Sequence, residues 1–204
     1  YGTRGLRLTT RQTIQVHGIE KRNLRAAAQA IHASGLDTIA ACGDDNRNVA
    51  AAVNPLLSRL HAQVFAQASA LSSHLRPKSR AWFETWLDEP ATDGNEAEPL
   101  LGDTYLPRKF KIGFAVPPEN DIDVYSQDVG LVAIVEDGKL AGYDVLVGGG
   151  MGASHGDART YPRLASPIGF ITPDQATPLA EAALTTQRDH GDRGERKHAR
   201  FKYT

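Results

Sequence analysis

The chain has 204 residues, 41% of them apolar and 23% charged, with a formal net charge of -1, which excludes disordered, collagenous and coiled-coil classes. A pI near 6.7 speaks against a nucleic-acid partner, since such domains normally lie above about 9. No apolar run approaches the roughly 20 residues that span a bilayer, and Tyr1-Gly2-Thr3-Arg4 offers neither an initiator Met nor a signal-peptide core, so the expectation is a soluble cytoplasmic fragment without a membrane partner.

The single cysteine, Cys42, closes no internal disulfide and cannot alone supply the thiolates of a zinc or iron–sulfur site. The 23 basic residues are 16 Arg and 7 Lys, an excess of the planar, permanently charged fork that suits carboxylates and phosphates. A high-GC genome produces the same bias.

Strict alternation from Leu6 to His17 predicts one strand with Leu6, Leu8, Ile14 and Val16 facing a core. Its other face is polar, either a solvated surface or an anion-binding wall with Arg7 and Arg11 about 13 Å apart. Glu20 to Ser34, Ala-rich and free of Pro and Gly, predicts a helix closed by Gly35. Residues 41–49 hold small polar residues around Arg47, a loop able to cap the next helix. That helix is predicted over Pro55 to His74 through Leu56, Leu60, Val64 and Leu71. Another is predicted over Lys78 to Leu87, burying Trp82, Phe83 and Trp86, and an acidic surface loop over Asp88 to Asp103.

The segment Lys109 to Val116 sends Phe110, Ile112, Phe114 and Val116 to one face and Lys109, Lys111, Gly113 and Ala115 to the other. Exposed edge lysines explain this pattern, and so does a ligand lying beside small neighbours. Leu131–Glu136 and Leu140–Val147 form a hairpin through Asp137-Gly138. The last helix starts near Thr172-Pro173-Asp174, holds Pro178 in its first turns and carries Leu179, Ala182 and Ala183 inward. The charged tail from Gln187 to Arg200 reads as a solvated helix on which Arg196 and Arg200 share a face.

Gly148, Gly149 and Gly150 follow a strand and formally match a dinucleotide fingerprint, but Ser154 to Pro162 cannot open the helix that such a site requires. What remains is a loop whose backbone can approach something flat and large. No metalloprotease His pair, nucleophile elbow or phosphate loop appears.

Taken together, Arg7-Leu8-Thr9-Thr10-Arg11-Gln12-Thr13, Asn46-Arg47-Asn48-Val49, Leu106-Pro107-Arg108-Lys109-Phe110-Lys111, Val147-Gly148-Gly149-Gly150 and the tail from Thr186-Gln187-Arg188 to Arg196-Lys197 resemble, in the same order, the siroheme-dependent sulfite and nitrite reductases. Pro117 to Asp123 and Trp86-Leu87-Asp88 look more like the bacterial NADPH-linked sulfite reductases than the nitrite reductases. The likeness runs over essentially the whole chain.

The resemblance implies an α+β fold: half of a ferredoxin-like βαβ unit over 1–40, then a mixed, largely antiparallel sheet packed with helices over 41–204. It implies that Arg47, Lys109 and Lys111 bind the sulfite (or nitrite) anion and supply protons, and that Arg7, Thr9, Arg11, Gln15, His17, Arg108, Gly148, Gly149 and Gly150 hold siroheme. Siroheme carries eight carboxylates, which gives the arginine excess and the polar strand face a physical reason. The family's 4Fe-4S cluster needs four cysteines, none matched by Cys42, and a further arginine upstream, so this stretch alone is expected to be inactive. Electrons are expected from a flavoprotein reductase subunit or ferredoxin. The alternatives at this point are nitrite reduction to ammonia and a non-catalytic anion- or tetrapyrrole-binding module.

Overall fold

Strand β4 (Ile112–Ala115) is buried along its whole length and organises the computed structural model, which describes residues 5–78 and 98–204. The helix expected over Lys78–Leu87 and the Trp86-Leu87-Asp88 motif lie outside the described residues except for Lys78, as does most of the Asp88–Asp103 loop. On one side β4 pairs in parallel with the short β3 (Ala50–Ala51), on the other in parallel with β5 (Val129–Glu136). β5, β6 (Lys139–Val147) and β7 (Ser166–Ile171) then follow as an antiparallel meander, giving the order β3-β4-β5-β6-β7. The expected mixed, largely antiparallel sheet is thus present. Its central turn is a two-residue one in which Asp137 and Gly138 both have positive φ, 49° and 74°, as the Asp-Gly pair dictates.

Alternation along 110–116 sorts the chain as its pattern requires. Phe110, Ile112, Phe114 and Val116 enter the main core with Val64, Ala68 and Leu71 of α2 (Arg59–His74) and Ala176, Ala180 and Leu184 of α3 (Ala176–His190). Ala115 belongs to a smaller cluster with Ala50, Ile122, Val124 and Leu146. Beside it a Cβ on Gly113 would meet Ile122 Cδ1 at 2.5 Å, so that side chain would have to move.

Several expectations are corrected. The strand Leu6–His17 is a hairpin, β1 (Leu6–Leu8) against β2 (Ile14–Val16). The chain reverses at 9–13, where Thr9 and Thr13 hydroxyls bond at 2.6 Å and Gln12 takes a φ of 57°. The registers Leu6↔Val16 and Leu8↔Ile14 keep the four apolar residues on one face, so alternation is blind to the turn. That face is exposed, Leu8 by 85%. The folded-back hairpin also removes the extended 13 Å spacing between Arg7 and Arg11. After it, α1 (Leu24–Ala33) ends as expected: Gly35, at φ +82°, donates to His32 O, and Leu36 donates to Ile31 O.

α2 begins at Arg59, four residues later than expected, because the Ser58 hydroxyl, and not the 41–49 loop, accepts the His61 N–H at 3.3 Å. Leu56 therefore precedes the helix and is 91% exposed. A capping box between Thr172 and Gln175 introduces α3 through a 3-10 turn. Its buried stripe is Ala176, Ala180, Leu184 and Gln187, with Leu179 and Ala183 at the margin and Ala182 exposed. The tail is not a solvated helix. α3 stops at His190, and Gly191 sits where a Cβ would meet Gln187 O at 2.5 Å and Pro107 Cγ at 2.6 Å. Beyond it, the 3-10 turns Arg196–His198 and Phe201–Tyr203 fold back on the body and bury Ala199 and Lys202.

Leu71→Ala should cost about 2–5 kcal/mol in urea unfolding through lost burial and a residual cavity. Leu56→Ala should stay within about 0.5 kcal/mol of the parent. Equal costs would contradict the helix start at Arg59.

Candidate functional site

The site begins with a parallel bridge between Asn46 and Phe110, in which Arg47 N–H donates to Phe110 O and Phe110 N–H donates to Asp45 O, each at 2.9 Å. Pairing in register sends Asn46 and Phe110 inward together, both almost fully buried, so Arg47, Lys109 and Lys111 share the opposite face. The structure thus brings together the three residues expected to bind the anion, and adds Arg11, Arg108 and Arg200 to them.

The lysines are shaped by this crowding. Burial pushes the Lys109 ammonium below the usual lysine range, and the Arg200, Arg47 and Arg108 charges push it further. Lys111 falls to about 8, chiefly through burial; Arg200, Arg11 and Lys109 depress it as well, while Asp128 opposes them. Among the described residues the Lys109, Lys111 and Arg200 side chains make no hydrogen bond or close ion pair, and Asp128 acts on Lys111 and Arg200 through its charge alone. Arg47 differs: it donates to Ala41 O at 2.7 Å and Gly43 O at 2.9 Å and lies 3.3 Å from Asp45. It braces its own loop.

Arg11 reaches the site from the hairpin tip. It donates to Gln127 Oε1 at 2.7 Å, to Asn48 O and to Ile112 O at 3.4 Å, and burial lowers it to about 10. Next to it the Gln12 amide docks on β3, donating to Ala51 O and accepting Ala51 N–H at 3.2 Å. The other hairpin residues expected at the site stay on the hairpin: Arg7 pairs across to Gln15, and the His17 ring contacts Gln15 at 3.3 Å. Arg108 lies 3.8 Å from Asp44, a carboxylate that Arg196 grips with two bonds of 2.8 and 3.1 Å.

The glycine loop makes its close approaches inside the protein. A Cβ on Gly149 would meet Tyr125 O at 2.3 Å and Gln127 O at 2.5 Å, and one on Gly148 the Arg163 guanidinium at 2.5 Å. At Gly149 the absent side chain is required by neighbouring backbone, while at Gly148 the neighbour is the end of a flexible arginine. Lys202 fixes the loop from behind, its buried ammonium donating to Gly150 O at 2.9 Å, Gly152 O at 2.8 Å and Tyr161 O. Between loop and tail lies a cavity of about 320 Å³ lined by Arg108, Ser154, Thr160, Arg196, Lys197 and Arg200 among others.

Sequence reasoning missed Arg200, Lys202 and Asp128 as site residues. The i,i+4 pairing of Arg196 and Arg200 was a signal for the first; nothing marked the other two. Among the described residues no three His, Cys, Asp or Glu side chains gather as metal ligands, and Cys42 is exposed. These residues offer an iron–sulfur cluster no cradle.

The family model described as "Nitrite and sulphite reductase 4Fe-4S domain" matches residues 66–204, and "Nitrite/Sulfite reductase ferredoxin-like half domain" matches residues 1–34. The chain belongs to the nitrite and sulphite reductase family. Over its whole length it is 59% identical to the sulfite reductase [NADPH] hemoprotein beta-component of Xanthomonas oryzae pv. oryzae and 58% identical to that of Geobacillus thermodenitrificans. It spans 36% of each of these relatives. The solved structure of the Mycobacterium tuberculosis NirA protein overlays on 97% of the chain, and on 31% of that protein, with a TM-score of 0.64. At 22% identity this likeness establishes the shared fold.

Asp45 gives a pH test of the site's electrostatics. Burial raises it from 3.8 to about 6, against the pull of Arg47. Because the folded value lies above the unfolded one, its stabilising contribution is full below about pH 4 and is lost as pH rises through about 6. Asp45→Asn should therefore show a flatter decline of urea midpoint between pH 4 and 7 than the parent. Parallel profiles would contradict the raised value.

Proposed function

We propose that this chain forms the cationic wall of a siroheme-dependent sulfite reductase, whose reaction is the six-electron reduction of sulfite to sulfide for cysteine biosynthesis. The observation that carries the proposal is the open face on which the Lys109, Lys111 and Arg200 side chains make no hydrogen bond or close ion pair among the described residues, although burial disfavours charge on both lysines. A partly desolvated face whose positive charge is only partly compensated favours a bound anion. The sulfite reductase names of relatives 58–59% identical along the whole chain support sulfite over nitrite.

The same face suits a polycarboxylate tetrapyrrole. Arg11 and Arg108 offer guanidinium forks at its edges, while Arg7, Thr9, Gln15 and His17 build the hairpin that delivers Arg11. Gly148, Gly149 and Gly150 shape the adjoining wall. When bound, siroheme would supply electrons to the anion at its iron.

The chain's own residues have the remaining work. Each sulfur–oxygen bond that breaks sends its oxygen away as water, so protons must arrive at that oxygen. Lys111, with a pKa near 8, is charged at neutral pH and gives up its proton readily, the property required of a general acid. Lys109 shares this bias. Arg200 holds the anion against the lysines, and Arg47, engaged with its own loop, adds positive charge beside them. A cytoplasmic flavoprotein drawing on NADPH, or a ferredoxin, completes the electron supply.

In the full-length protein, Lys109→Met and Lys111→Met should each lower sulfite turnover by about 10²-fold or more, the usual worth of a general acid. Turnover within about twofold of the parent removes the acid role. Relative turnover of sulfite and nitrite tests the substrate. Failure of the protein to bind siroheme saturably in an absorbance titration sinks the cofactor.

A further inference from the structure

We propose that Asp128 is the positioning residue of this site, the buried countercharge that keeps Lys111 protonated while its carboxylate and carbonyl fasten β4 and the glycine loop together. Asp128 is 2% exposed. Its Oδ2 accepts the Lys111 N–H at 2.9 Å, and its carbonyl accepts the Gly148 N–H at 2.8 Å. One residue thus ties the lysine's backbone to the start of the loop that forms the adjoining wall.

Its Oδ1 is buried with no hydrogen-bond partner among the described residues, an expensive state for a carboxylate oxygen unless charge compensates. The charges that act on it come from three elements: Lys111 at the head of β4, Arg200 from the tail and Arg11 from the hairpin tip. Asp128 is correspondingly the charge that opposes burial in holding the Lys111 proton, against the positive charges of Arg200, Arg11 and Lys109. Without it, Lys111 would face Arg11, Arg200 and Lys109 with no compensating anion and would lose its proton at lower pH. Burial raises Asp128 itself to about 6, so it is ionised at neutral pH and able to act.

This inference takes from the proposed function only the use of Lys111 as an acid, and its test does not depend on turnover. In the full-length protein, lysine acetylation by acetic anhydride is followed by mass spectrometry across pH, with exposed Lys139 as the reference amine. Asp128→Asn preserves the acceptor for the Lys111 N–H and removes the charge. It should lower the labelling midpoint of Lys111 by about one pH unit or more relative to Lys139, while Asp128→Glu, which keeps the charge, should leave it near the parent value. An unchanged midpoint in Asp128→Asn overturns the proposal, whatever happens to sulfite turnover. A shifted midpoint with turnover insensitive to Lys111 supports Asp128 as countercharge and removes the acid role. Should Asp128→Asn fail to fold, the parent protein labelled with 15N-lysine gives a second reading: the Lys111 amide resonance should inflect near pH 6 as Asp128 titrates, and its failure to do so overturns the proposal.

Discussion

The site depends on a parallel backbone pairing that starts as 46 with 110 and continues, after a one-residue shift in register, as 50–51 with 113–114. The bridge at 46 and 110 fixes the parity of the basic face. Aromatic and branched side chains of one strand go to the helices, and basic ones from both strands go to the other side. A shift of one residue would bury Lys109 and Lys111 and expose Phe110, Ile112 and Phe114, a penalty large enough to exclude the alternative. Core formation and the assembly of a cationic face are therefore the same event, which makes the register of this strand a condition of both stability and function.

Gathering so many positive charges works against folding, and the protein limits the cost locally. Asp44 pairs with Arg196 and lies near Arg108, while Asp45 stands beside Arg47. Each acidic residue follows from the backbone already described: the 44–47 loop carries both an arginine and the two carboxylates that compensate the surrounding arginines. Within this cluster, among the described residues, the side chains without a hydrogen bond or close ion pair are those of Lys109, Lys111 and Arg200. Compensated cations build the scaffold, and uncompensated ones are available for an outside anion.

The strand face of 110–116, the Asp137-Gly138 turn, the Gly35 helix stop and the capping of α3 were legible in the sequence because each rests on a short-range rule of period or backbone conformation. The hairpin was not, since a turn of matching parity leaves alternation intact and no Asn-Gly or Gly-Gly pair marks it. The tail misled because alternating charge is what a solvated helix shows, and only tertiary contacts such as Arg196 with Asp44 reveal the fold-back. In the site, Lys109 and Lys111 could be found from their strand face, and Arg47 from its motif. Asp128 could not: a single acidic residue before a hydrophobic strand acquires meaning only when the neighbouring strand brings Lys111 to it. The glycine cluster was noticed correctly as a place of close approach, but which surface approaches it is a tertiary fact.

The docking of Gln12 on β3 has a consequence for the behaviour of the sheet among other chains. A strand at the margin normally offers unpaired backbone groups on which a foreign strand can grow. Here one carboxamide occupies both the N–H and the C=O of Ala51, imitating the peptide group of an absent neighbour. At the far margin β7 carries Pro167, which has no N–H to offer. Among the described residues β3 and β7 are the outer strands of the sheet, and the hairpin that presents Arg11 thus also covers part of one of them.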